Sequence, residues 1–456
     1  MVMDKTQLIY PNLNSFLYDL RYGLGSDKEQ LQENRLGFWR KVDPQLDVEE
    51  RVSQEKEYEN KDFAWLKFLQ FELPLDGFSA PAQLRDSYGL LVNYSIDKQD
   101  NRSDYSPQDY DQLPNLKNRI LKHLAHGQDI SQSQNCYGTL GQSWLLWAQV
   151  STDTDTKSVA EACWEKLRPD DNWAAKPCYL GHWNGADIYE VLRFPQNWQQ
   201  SWQKFQQHYY HLVLVLFHPS GSIEAHQNVM QVHYETFLKL FCFHNKMIWS
   251  YWRHQGQVKI LHDEYGELKS LMKNVQDGNR ETLKAMRENL KKSLQFSSTY
   301  AIGLKDIQDQ KHTITVNAHN HGKIWQEFGL NSSPQVREWI EETYLKQIEA
   351  DYDSLAPVLP MTENLMRSLE GMINLEQTES DRELNDRLQA LQVFGAALAV
   401  ASITATLVST QAKEPTRSSV PPPPGWPFWY IILWTVGMGC LAMIGVVWGL
   451  KKDRKK

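Results

Sequence analysis

The sequence predicts an α+β cytoplasmic domain built on a ferredoxin-like βαββαβ element, followed by long stalk helices and a C-terminal two-helix transmembrane hairpin. Three observations carry this. Residues 143–217 alternate strand-like apolar runs with helical spacing. From residue 223 to residue 392 apolar side chains recur mostly three and four apart, the period of a helix face. Residues 393–410 and 428–450 contain no Asp, Glu, Lys or Arg, and each run is near or above the roughly 18–20 residues a helix needs to cross a bilayer.

Taken in order, the first 60 residues read as polar helix, with Leu13, Phe16, Leu17 and Leu20 on a stripe that docks on the domain that follows. Strands are expected at 68–73 and 88–96, a polar loop at 97–114 and a helix at 116–126. Residues 143–150 are apolar and aromatic enough for a buried strand, and 159–167 have helical spacing. Residues 179–183 and 186–194 flank Asn184-Gly185, the strongest short hairpin signal, because both residues tolerate positive φ. Trp198, Trp202 and Phe205 mark a helix, and 211–217 (HLVLVLF) is continuously apolar, as a strand covered on both faces must be. The order β-α-β-β-α-β is that of the split βαβ pattern.

His218-Pro219-Ser220-Gly221-Ser222 leads into a long helix over 223–252. Ser220, Gly221 and Ser222 form a candidate anion loop, since backbone N–H groups at a helix start attract negative charge; a plain Ser cap is the alternative. Helical stripes resume at Leu268 and at Leu283, 297–329 is less regular and is expected to include a turn, and Pro334 opens another helix that Pro357 and Pro360 break. The last helix carries Leu384, Leu388, Leu391, Gly395, Leu398, Ser402, Ala405 and Ser409 on one stripe. From Leu391 to Ser409 that stripe is a candidate pore lining or a helix-packing face, the small and hydroxylated residues suiting either role. Gly445 and Gly449 form a GxxxG helix-contact candidate on the second span. Domains are thus expected at 1–255 (cytoplasmic α+β), 256–392 (stalk), 393–410 and 428–450 (spans), 411–427 (Pro-rich external linker) and 451–456 (basic tail).

Charge sets orientation and partners. The tail Lys451-Lys452-Asp453-Arg454-Lys455-Lys456 is basic, which holds it on the cytoplasmic side, and an even number of spans then places both termini in the cytoplasm at an inner membrane. The net charge is −8 for the chain and −13 for the residues up to 392, which argues against nucleic acid as a partner. The five cysteines show no Cys-x-x-Cys spacing, and the first four, Cys136, Cys163, Cys178 and Cys242, are expected to be reduced thiols in the cytoplasm. His319-Asn320-His321 with His312 nearby, and His226 with His233, lack a third fixed ligand, so they are read as surface histidines and no metal site is expected. There is no nucleophile elbow, zinc-protease motif, kinase signature or Rossmann fingerprint, so neither catalytic residues nor a cofactor is expected.

The layout of a large α/β domain, long stalk helices, a last helix running through Asn385-Asp386-Arg387-Leu388-Gln389-Ala390-Leu391 into the first of two spans, and a short basic tail resembles the CorA-like metal-ion transporter superfamily. Where magnesium transporters of that superfamily close the first span with Gly-Met-Asn, this chain has Ser409-Thr410-Gln411. The resemblance implies a homo-oligomer in the lipid bilayer, an ion channel or transporter gated by its cytoplasmic domain through a divalent cation or a small cytoplasmic ligand. The alternative is a membrane-anchored sensor or effector in signalling or defence.

Overall fold

The structure, a computed structural model, describes residues 7–378 except 24–26, 46–54, 56–57, 59–60, 73, 97–104, 131–132, 152–154, 170–174, 196 and 277–282. The chain divides into two compact units, one of Met1–Lys259 with Lys305–Asp353, the other of Ile260–Leu304 with Ser354–Lys456.

The first unit is organised by a ten-stranded mixed sheet. Its strands are β1 (Leu8–Leu20), β2 (Phe63–Trp65), β3 (Leu69–Gln70), β4 (Gly77–Leu84), β5 (Ser87–Tyr94), β6 (Pro107–Gln108), β7 (Gly141–Val150), β8 (Cys178–Trp183), β9 (Ala186–Arg193) and β10 (Tyr210–Phe217). They lie in the order β2-β4-β5-β1-β7-β10-β9-β8, with β3 on β4 and β6 on β1. Helices α1 (Lys28–Val42), α2 (Gln112–Ala125) and α3 (Thr156–Leu167) cover one face; the first part of α5 (Ile223–Gln276) and the end of α6 (Leu283–Glu327) cover the other. The seven-residue α4 (Trp202–His208) precedes β10.

Strand alternation distributes β10 between the two cores. Leu212, Leu214 and Leu216 pack with Trp39, Ile120 and Trp164; Val213, Val215 and Phe217 pack with Phe237, Phe241 and Trp325. Each apolar side chain buried in this way contributes roughly 1.5–3 kcal/mol, and burial on both sides explains why 210–217 has no polar alternation.

Two expectations about this unit are corrected. Residues 8–20 form the central strand β1, not a helix: Leu13 and Leu17 enter one core and Phe16 and Tyr18 the other, so the apparent 3-4 stripe comes from a strand with two buried faces. The βαββαβ run is present in order, but its pairing differs from the ferredoxin-like expectation. β10 lies between β7 and β9, parallel to β7 and antiparallel to β9, because the short α4 segment returns the chain beside β9 and does not cross over it.

The second unit is helical. It takes in the end of α5, the start of α6 and α9 (Val358–Thr378). Leu268, Tyr300, Leu365 and Leu369 are buried in it, and the Tyr300 hydroxyl donates to the Leu355 carbonyl at 3.1 Å. Between the units' α6 and α9 ranges, α7 (Pro334–Glu338), a π-helical turn at Trp339–Leu345 and α8 (Lys346–Leu355) follow one another.

The expected transmembrane hairpin is also corrected. Among the described residues no helix is long and apolar enough to cross a membrane; α5 and α6 interleave charged residues with the apolar positions that pack on the sheet. Residues 393–410 and 428–450, with Leu391, Gly395, Leu398, Ser402, Ala405, Ser409, Gly445 and Gly449, lie outside the described residues. The readings that rested on the hairpin are set aside with it: the CorA-like integral membrane ion channel or transporter, its membrane-anchored alternative, and the inner-membrane location.

Candidate functional site

At the end of the sheet where the parallel strands β7 and β10 finish, three side chains converge: His182 on β8, Asp187 on β9 and His218 just after β10. Local chemistry dictates the first pair. Asn184 and Gly185 have φ of 47° and 80°, the left-handed values a two-residue hairpin turn requires. That turn sets His182 directly opposite Asp187 in the β8–β9 register. The third member is brought in by β10, whose pairing with β9 continues one step further as the His218 N–H donates to the Gly185 carbonyl at 2.9 Å.

The geometry is tight. His182 Nδ1 is 3.2 Å from Asp187 Oδ1, and His218 Nε2 is 3.4 Å from Asp187 Oδ2; one ligand atom from each residue lies within 4.8 Å of the others. A tetrahedral ion with bonds of ~2.0–2.1 Å has ligand-to-ligand edges of roughly 3.3 Å. The His182 and His218 contacts are each close to that length, one on each carboxylate oxygen of Asp187. The carboxylate is 15% exposed, while the imidazoles of His182 and His218 are 56% and 29% exposed, so an ion here would keep coordination positions open to solvent.

Asp187 is held by its neighbours. The Thr156 hydroxyl, at the first position of α3, donates to Oδ2 at 2.6 Å; with its proton so used, Thr156 accepts from the Tyr189 hydroxyl at 2.8 Å. Tyr179 donates to Oδ1 at 3.3 Å. Partial burial works to raise the carboxyl pKa, yet the hydrogen bonds from Thr156 and His182 and the charges that His218 and His182 can carry outweigh it and hold Asp187 below the usual range. It is therefore a carboxylate at neutral pH, anchored from behind as metal-ligating carboxylates are.

The residues singled out in the sequence fare differently. Ser222 caps α5, accepting from the Ala225 N–H at 3.2 Å. The Gly221 carbonyl accepts from Gln149 at 3.2 Å, and the His226 ring fills the space a Cβ at Gly221 would need. The Ser cap, the alternative reading of this loop, is thus present, and the loop directly follows His218. His319 and His321 share α6, but residues two apart face opposite ways: His319 is exposed and His321 is buried. His182, Asp187 and His218 were missed as a set because they come from three strands. The readable signal was a His and an Asp placed symmetrically about an Asn-Gly turn.

At the other end of the sheet a cleft of about 440 Å³ lies between α1, α4 and the loop before β7. Its floor is the buried pair Lys41–Asp19, in which Lys41 Nζ donates to both carboxylate oxygens and to the Tyr137 carbonyl, and Asp19 also accepts from the Thr139 N–H. With those groups engaged by one another, the cleft floor is structural.

No family model matches the chain and no curated protein matches it, so the comparisons lend no support to a CorA-like relationship.

Proposed function

We propose that this protein binds one divalent first-row transition-metal ion, such as Zn²⁺, through His182 Nδ1, Asp187 and His218 Nε2, and presents it to a ligand or substrate arriving from solvent. The convergence of these three side chains at one exposed corner is the observation that carries the reading. Two imidazoles with one carboxylate suit borderline ions such as Zn²⁺ and Fe²⁺ better than Mg²⁺ or Ca²⁺, which prefer all-oxygen cages. Three protein ligands with an open position is the arrangement of reactive metal sites, where the ion lowers the pKa of a bound water toward neutrality. Sealed structural sites use four.

Isothermal titration of the full chain with Zn²⁺ after chelator treatment tests this. One ion per chain in the wild type, and binding weakened by about 100-fold or more in Asp187→Asn or His218→Ala with unchanged circular dichroism, is the expected result. Equal binding by wild type and both variants would overturn it.

A further inference from the structure

A second histidine and carboxylate cluster lies in the core of the same unit. Glu190 on β9, His211 on β10, His244 on α5 and His321 on α6 are each no more than 2% exposed. His211 Nε2 faces Glu190 Oε1 at 3.2 Å, and His211 Nδ1 faces the Ser143 hydroxyl at 2.8 Å. Ser143 also accepts from Asn245 Nδ2 at 2.8 Å. Asn245, Ser143, His211 and Glu190 thus form one continuous hydrogen-bonded chain. The His211 and His244 rings are 4.0 Å apart, and those of His244 and His321 are 5.7 Å apart. His244 Nε2 meets the Tyr209 hydroxyl at 2.5 Å, and His321 receives the Trp325 indole N–H at 3.3 Å.

Several described residues face this cluster. Cys178 on β8 is paired opposite Glu190, Tyr209 precedes β10, Ser332 is hydrogen-bonded to His321, Ser333 lies near Glu190, and Tyr344 lies beside Tyr209. None is a lysine or arginine. Three neighbouring imidazoles share one carboxylate, and His244 Nδ1, Asn245 Oδ1 and Glu190 Oε2 have no hydrogen-bond partner among the described residues; imidazolium charge added here would sit beside the other rings in a medium of low dielectric with little to compensate it.

We infer that Glu190, His211, His244 and His321 form a proton-operated clasp that holds α5 and α6 on the sheet while His244 and His321 are neutral and lets them open on acidification. Burial, followed by the proximity of His211 and His321, holds His244 well below the ordinary imidazole range. Burial and His211 hold His321 at about 4 against the opposing pull of Glu190. Any opened state, with ordinary imidazoles, takes up protons that the closed state refuses, so acid favours opening.

Hydrogen exchange of the full chain between pH 7.5 and pH 5.0, corrected for intrinsic rates, reads this out. Segments 237–252 of α5 and 317–328 of α6 are expected to lose protection at least ten-fold more than α2, which packs on the opposite face of the sheet. In His244→Gln and His321→Gln that excess shrinks. The inference is overturned if the two segments keep their pH 7.5 protection at pH 5.0, if they lose it in step with α2, or if folded variants retain the full pH effect. The wild-type comparison decides alone where neither variant folds.

Discussion

β9 and β10 each contribute to two histidine and carboxylate clusters, and the clusters behave as opposites. Asp187 and His218 stand at the strand ends, where solvent reaches the imidazoles and open coordination positions remain. Glu190 and His211 stand inside the sheet, each 1% exposed at the side chain, with both His211 nitrogens engaged by Ser143 and Glu190 and one Glu190 oxygen without a partner among the described residues. The same residue types make a ligand set in one place and a core network in the other. The deciding variable is distance from the strand end: ions need an entry path and open positions, whereas a buried polar group needs every partner supplied by the fold.

The comparison can be broken from either side. The largest effect is expected from Glu190→Ala, which leaves His211 without its acceptor in the core; loss of one member of such a buried pair costs about 3–5 kcal/mol. Denaturant unfolding should show this, with Zn²⁺ affinity of the folded fraction unchanged. Next comes acid. Between pH 6.5 and 4 the unfolded chain binds a proton that folded His321 refuses, so its contribution is fully present above 6.5 and is lost as pH falls toward about 4. The shift from 6.5 to about 4 corresponds to roughly 3 kcal/mol, and melting followed across that range should be flattened in His321→Gln.

The exposed cluster should respond in affinity and hardly at all in stability. Asp187→Asn removes the charged ligand and is expected to weaken Zn²⁺ binding by about 100-fold or more, the upper end of what even outer-shell changes cost. Its melting temperature without metal should stay near that of the wild type. The smallest effect belongs to Thr156→Val, which keeps the shape but removes the hydroxyl that orients Asp187: about a 10-fold loss of affinity, with Thr156→Ser restoring it. Calorimetric titration of the three proteins orders these cases. A Thr156→Val protein with wild-type affinity would show that Asp187 needs no support from α3.

Much of the sheet was legible. The continuous apolar run of β10, the Asn184-Gly185 hairpin and α3 between β7 and β8 follow from period and turn chemistry alone. β1 was not, because Leu13, Phe16 and Leu17 mimic a helix stripe when both faces of a strand are buried. Nor was the helical continuity of 283–327, where the buried side mixes apolar Ile307, Ile314 and Trp325 with polar Gln310, Asn317 and His321. The site depended on pairing. Nothing in the linear sequence places His218 beside Gly185, since β10 could have paired elsewhere; only the β9–β10 register does so.

The Asn184-Gly185 turn also fixes the order in which the ligands can meet. Hairpins of this kind close locally, in about 1–10 μs, so His182 and Asp187 become neighbours without help from the rest of the chain. His218 joins only after β10 has added to β9, which requires the intervening α4 segment to be in place. An ion captured by all three therefore favours the completed strand pair over the bare hairpin, and at a concentration 100 times its dissociation constant it would contribute about 2.7 kcal/mol to keeping that pair together. Metal supply would in that way act on the last step of assembly of this edge of the sheet.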